Sequence, residues 1–394
     1  MINSVKYTMD QCVRCMKCVR NCPTSALSRV GNRIVINDER CIGCGHCIQS
    51  CTNQGIVAKG SSLEAIKDYD YTVCMVPGAL INHCSSAEEA QELFHAIKML
   101  GFDEVIDISD VTARRMKESY LLADDGDDTY ISSFCPVINH LIANRYKVLQ
   151  ETILPINYDA EIAAKQIRKR LSDKNVGIFN LCECEAKLAI AKHPNDGDYE
   201  IDHALALVDV FPTIRRNLHT GKEEVNFCLE GLQTSNPLRI IAKDDYLIAD
   251  GFDKICKVLD MAEFGLLNQF KLLILYPCFN GCIGGHLLWG NSFVMKNNID
   301  SLKEVCNKKE SDIPFEEFYT EDFWKTTEDK RSFIERTRFF KDVTAQLERL
   351  PGYDCSACGM QTCRLMAEEI VKGNKNEKDC RVLNALKEKE NDNS

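Results

Sequence analysis

The chain has 394 residues, 45% of them apolar, enough for two or three domains with buried cores. Its net charge of −11 argues against a nucleic-acid partner. Its 22 cysteines would suit a disulfide scaffold only if the chain were short and exported, yet the first twenty residues hold no apolar export segment and no run reaches bilayer length. The expectation is a soluble, cytoplasmic protein with no membrane partner, in which clustered thiols hold metal.

The first cluster of thiols reads CVRCMKCVRNCP from Cys12 and the second reads CIGCGHCIQSC from Cys41. Each is C-x2-C-x2-C-x3-C, followed by Pro23 in the first and by Thr52 in the second. Three thiolates at this spacing wrap one cubane while the fourth reaches the other cluster of a two-cluster ferredoxin. One [4Fe–4S] cluster is therefore assigned to Cys12, Cys15, Cys18 and Cys51, and the other to Cys22, Cys41, Cys44 and Cys47. Zinc knuckles, the alternative, use two C-x2-C pairs set apart by a spacer. Arg14, Lys17 and Arg20 lie between the ligands of the first set, where positive charge either raises the cluster potential or faces solvent.

From about Lys59 to Cys306 short apolar runs alternate with helical patterns. Residues 71–77, 104–109, 129–134, 176–181 and 271–277 read as strands, and 86–100 as a helix with Leu93, Phe94, Ile97 and Leu100 on one face. Such alternation implies parallel sheet with helices on its faces and working residues in loops at the strands' carboxyl ends. Three of those loops carry cysteine: Cys135, the pair Cys182 and Cys184, and the pair Cys278 and Cys282. Four thiolates from three converging loops would hold a third cubane.

The ferredoxin-type start followed by C-P, C-x-x-K and C-x3-C-x-G-G loops resembles the large subunit of [FeFe]-hydrogenases over about Met1 to Leu288. The resemblance implies that Cys135, Cys184, Cys278 and Cys282 hold the cubane of the catalytic centre and that Cys282 also bridges to a diiron unit bearing CO and CN−. It further implies that Lys187 bonds a cyanide of that unit and that Gly284 and Gly285 allow close backbone approach. The stretch 250–267 resembles the family's helix before the last strand. Three positions depart from the pattern. Phe134 stands where active members have a proton-carrying cysteine, Tyr276 replaces a methionine, and Phe279-Asn280 replaces Pro-Gly. Cys182 has no counterpart and reads as a buried thiol, with ligation in place of Cys184 as the alternative. Cys74, Cys84, Cys228, Cys256 and Cys306 are scattered singly and read as core residues.

A charged connector spans 306–345. After it, Cys355, Cys358, Cys363 and Cys380 form C-x2-C-x4-C-x16-C behind Leu-Pro-Gly, which resembles the small Fe–S domain of electron-transport complex subunits and corrinoid proteins. In hydrogenase-like chains this appended module resembles a mark of sensory members.

The expected fold is α/β in three parts. Residues 1–59 form a dicluster ferredoxin-like α+β domain, 60–305 a hydrogenase-like α/β domain with parallel sheets, and 346–394 a small helical Fe–S domain and tail. Four [4Fe–4S] clusters would serve electron transfer or redox sensing with a protein redox partner, a ferredoxin or a signalling protein. Electrons are expected to pass between the two ends through the central site. The alternative is a slow or sensory, anaerobic hydrogenase with the diiron unit at Cys282 and Lys187 as catalytic residues.

Overall fold

The computed structural model describes residues 4–192, 200–240, 243–320 and 332–392. The ferredoxin-like part pairs β1 (Val5–Tyr7) antiparallel with β4 (Ile56–Ala58), and β2 (Leu27–Val30) antiparallel with β3 (Arg33–Ile36). Its small core is built from Val19, Ala26, Leu27, Ile34 and Ile56 together with cysteines.

The middle of the chain forms two parallel sheets. The first contains β5 (Tyr71–Val76), β6 (Glu104–Asp107), β8 (Val176–Cys182) and β9 (His203–Ala206) in the order β6-β5-β8-β9. The second contains β7 (Tyr130–Ile131), β10 (Tyr246–Asp250) and β11 (Leu272–Tyr276) in the order β10-β11-β7. Side chains alternate between faces along a strand. Val73, Met75 and Ile178 of the first sheet and Leu272, Ile274 and Tyr276 of the second therefore meet one shared core, with Met116 and Ile162 from helices packed into it. Cys74, Val76, Phe179 and Leu181 point the other way, under the helices Ala87–Lys98 and Leu207–Asn217. Leu273 and Leu275 do likewise under Pro136–Arg145 and Phe252–Glu263. The result is helix, sheet, helix, sheet, helix. Each wholly buried leucine or isoleucine in these strands contributes about 2 kcal/mol of burial free energy.

The five expected strands and the helix at 86–100 are present, the latter as Ala87–Lys98 with the Ser86 side chain accepting from the Glu89 amide at 3.1 Å. The strand expected over 129–134 shortens to Tyr130–Ile131, because the chain turns at Ser133 and Phe134 to bring Cys135 to the start of a helix. Strands β9 and β10 were not expected; HALA and YLIAD are too short to show a period of their own.

At the carboxyl end the helix Phe333–Glu348 packs on Cys363–Val371, and Val343, Leu350, Met360, Leu365 and Met366 form a separate core. The last part of the charged connector thus belongs to this module, its apolar stripe covering the cysteine-bearing turn. Residues 321–331 of the connector lie outside the described residues.

Candidate metal centres

The two ferredoxin-type loops share one backbone shape. Arg14 and Met16 have φ of 60° and 65°, and Gly43 and Gly45, at the same offsets from Cys41, have φ of 68° and 71°. Left-handed residues between successive thiols turn backbone amides towards a common centre, the geometry of an anion-binding nest. Arg14 and Met16 hold it against the strain a side chain brings there. Burial pushes the Cys18 thiol up to about 11, with Cys51, Cys12 and Cys15 close enough to add to it, and burial likewise raises the Cys47 thiol, which has Cys44, Cys41, Cys22 and Glu185 about it. The Ala26 amide donates to Cys22 Sγ at 3.1 Å and the Gly55 amide to Cys51 Sγ at 3.2 Å, bonds of the kind that tune a cluster's potential.

Three strand-end loops meet in the middle domain. Cys135 caps the helix that follows β7, Cys184 follows β8, and Cys278 and Cys282 follow β11. All four line one cavity, together with Cys44 of the ferredoxin-like part. Asn280 and Gly281 have φ of 62° and 75°, so left-handed residues again lie between the thiols. A Cβ on Gly285 would come within 2.5 Å of the Glu183 carbonyl, so the second and third loops touch only because no side chain intervenes. Burial pushes the Cys135 thiol up to about 11, Cys282 to about 12, and Cys184 and Cys278 well above the usual range. These thiols stay protonated at neutral pH unless metal displaces the proton. Cys182 is wholly buried, with its Sγ near the Asn180 side chain at 3.4 Å, and does not line the shared cavity. Among the described residues no three His, Cys, Asp or Glu are gathered tightly enough for a single metal ion.

Lys187 is already engaged. Its Nζ donates to Glu183 Oε1 at 2.6 Å, one helical turn back, and Glu183 is 1% exposed. Burial alone would lower the lysine, but the negative groups around it, Glu183 first, hold it well above its ordinary value. Phe134 packs on Tyr276 with ring centroids 4.6 Å apart, and the Tyr276 hydroxyl donates to the Thr234 carbonyl at 2.7 Å. Sequence reasoning passed over Glu183, although the i, i+4 spacing to Lys187 was visible.

The centres form a chain of neighbours. A Cβ on Gly45 would fall inside the His286 ring, one on Gly43 would meet Ala186 at 3.0 Å, and the Ser4 amide donates to Glu185 Oε1 at 2.5 Å. The second ferredoxin loop therefore rests directly on the loops that carry Cys184 and Cys282. The C-terminal module docks on the ferredoxin-like part. Gln361 Nε2 donates to the carbonyls of Cys22 at 2.7 Å and Arg20 at 3.1 Å, the Arg29 amide donates to the Gly359 carbonyl at 2.8 Å, and Arg40 pairs with Glu368 at 2.8 Å. The sequence reading sets the central loops between the two ends, whereas in the structure the two ends touch each other directly.

Three family models match the chain: the 4Fe-4S dicluster domain over residues 4–52, the C-terminal domain of the iron-only hydrogenase large subunit over 73–242, and an Fe–S cluster domain over 350–382. The chain is a hydrogenase-like iron–sulfur protein. Solved structures similar to this hydrogenase-like chain include an [FeFe]-hydrogenase described for stepwise H-cluster assembly, with 13% identity, 59% of this chain and 83% of that one covered, and a TM-score of 0.46. Another is described for oxygen inactivation through its 2Fe subcluster, with 12% identity, coverage of 63% and 89%, and a TM-score of 0.49. A third is the HydA1 [FeFe]-hydrogenase from Chlamydomonas reinhardtii, with 13% identity, coverage of 61% and 86%, and a TM-score of 0.47. A search of curated proteins returns no match. No helix among the described residues is long and apolar enough to cross a membrane.

Proposed function

We infer that this protein carries electrons or senses redox state through four cubanes, with the central one bound by Cys135, Cys184, Cys278 and Cys282. The ferredoxin-like part holds two, on Cys12, Cys15, Cys18 and Cys51 and on Cys22, Cys41, Cys44 and Cys47. The C-terminal module holds the fourth on Cys355, Cys358, Cys363 and Cys380. The thiol groupings and left-handed backbone cradles fit these groups. A cubane supplies one-electron chemistry, while the protein supplies burial, amide hydrogen bonds and close spacing.

The observation that carries the reading is the closed pair of Lys187 and Glu183. A second cavity adjoins the thiol-lined one at Cys282 and is lined by Arg115, Asp159, Glu183 and Lys187. Two cations already face two carboxylates there. A diiron unit with anionic cyanide ligands would leave that buried charge unbalanced, and Phe134 offers it no proton. The residues present do not fit the diiron unit. The position of Cys282, lining both cavities, favours the slow hydrogenase as the second reading.

On this reading the protein works in the cytoplasm, with a soluble ferredoxin or signalling protein as redox partner. Reconstituted protein should contain about sixteen iron and sixteen acid-labile sulfide per chain. Cys282→Ala should lose about four of each, with the electron paramagnetic resonance signals of the other clusters kept. Unchanged iron in Cys282→Ala would remove the central cluster from the account.

A further inference from the structure

The cavity beside Cys282 holds two polar atoms that the fold leaves unsatisfied. Arg115 is 1% exposed, deep between the sheets. Its Nε donates to the Asn157 carbonyl at 2.7 Å and its Nη2 to Ser133 Oγ at 2.9 Å, while Nη1 has no partner. Glu183, also 1% exposed, spends Oε1 on Lys187 and leaves Oε2 without a partner. A buried donor or acceptor left unmade costs about 1–3 kcal/mol, more when charged. Both residues line the same cavity of about 40 Å³.

The other charges are accounted for. Asp159 accepts from Thr112 Oγ1 at 2.8 Å and from the Ala160 amide at 2.9 Å. Two cations and two carboxylates balance, so an occupant with net charge would be disfavoured at this depth. The occupant must accept from Arg115 and donate to Glu183. At roughly 10–15 Å³ per water-sized centre, the space suits a molecule of about three non-hydrogen atoms. An open vestibule of about 560 Å³, lined by Lys117, Lys308 and Glu310 among others, lies next to this cavity, with Met116 and Thr234 lining both.

We propose that the cavity formed by Arg115, Glu183 and Cys282 is a binding site for a small uncharged molecule that is both hydrogen-bond donor and acceptor, and that its occupancy sets the potential of the adjacent cluster. The inference rests on the reading that Cys282 holds a cubane. A molecule that donates to Glu183 and turns a further N–H or O–H to the Cys282 thiolate, which lines the same cavity, disperses the sulfur's charge and raises the reduction potential. The middle domain would then report the molecule as a change in the electron flow reaching it from the second ferredoxin cluster.

The test is an optical and paramagnetic-resonance redox titration of the full chain with formamide or hydroxylamine as probes and azide and formate as anionic comparators. The expected result is a saturable upward shift of the central cluster's potential with a neutral probe and none with the anions. Arg115→Lys and Glu183→Gln should each weaken probe affinity by at least about tenfold. If Arg115→Lys fails to fold, Glu183→Gln alone decides. No saturable shift with any probe means structural waters fill the cavity and overturns the proposal, as does a shift with the anions alone. Absence of the central-cluster signal before any probe is added would instead bring down the cubane reading, and this proposal with it.

Discussion

Gln361 Nε2 lies 2.7 Å from the carbonyl oxygen of Cys22, so a side chain of the C-terminal cysteine module bonds the backbone of a ferredoxin-type ligand residue. The same amide group reaches the Arg20 carbonyl, and Gln361 Oε1 accepts from Ser25 Oγ. Cys44, assigned with Cys22, lines the central cavity. The cysteine set that includes Cys22 and Cys44 thereby touches the C-terminal module on one side and the central cavity on the other.

Gln361→Ala removes three hydrogen bonds across that contact, about 3 kcal/mol of docking free energy if each contributes near the typical net value. Iron content should not change. The magnetic interaction between the C-terminal and ferredoxin clusters in the fully reduced protein should weaken, and amide exchange at residues 355–363 should quicken. An unaltered interaction would mean that the contact does not position the two clusters.

Gly45 is the corresponding point on the other side. Its φ of 71° costs a side-chain-bearing residue about 1–2 kcal/mol, and a Cβ would collide with His286. Gly45→Ala should therefore lift the second loop from the central one, slowing reduction of the central cluster by the ferredoxin clusters in stopped-flow experiments. The ferredoxin clusters themselves should still assemble, because Met16, at the same offset in the first loop, bears a side chain.

Lys187→Met should destabilise the middle domain by about 3 kcal/mol, because it leaves Glu183 as a buried carboxylate without its counter-charge. Combining it with Glu183→Gln should recover most of that loss in a double-mutant cycle read by thermal unfolding. If the two changes simply add, Lys187 is not held by Glu183, and its charge is free for another partner.

What the sequence reveals and what it hides follow from the range of the interactions. The ferredoxin-type sets are legible because a cubane imposes ligand spacing within a dozen residues, and Cys18 and Cys47 have the expected neighbours. The three cysteine loops are legible because buried parallel strands such as Leu272–Tyr276 are continuous apolar runs that end where the thiols begin. Arg115 and Asp159 are not legible as site residues, since each sits in a helix with mostly ordinary spacing and reaches the cavity only through packing between two sheets. The docking of Gln361 on Cys22 joins residues 339 apart in the chain and leaves no local mark.

The central claim is that the middle domain holds a cubane and no diiron unit, and infrared spectroscopy of protein produced together with the diiron maturation machinery tests it most directly. Bands of iron-bound CO and CN− fall where protein absorbs little. The paired charges of Lys187 and Glu183 and the packing of Phe134 on Tyr276 predict a spectrum without them, from protein whose central cluster is present by paramagnetic resonance. Bands that persist after gel filtration and vanish in Cys282→Ala would contradict the account and place a diiron unit beside Lys187.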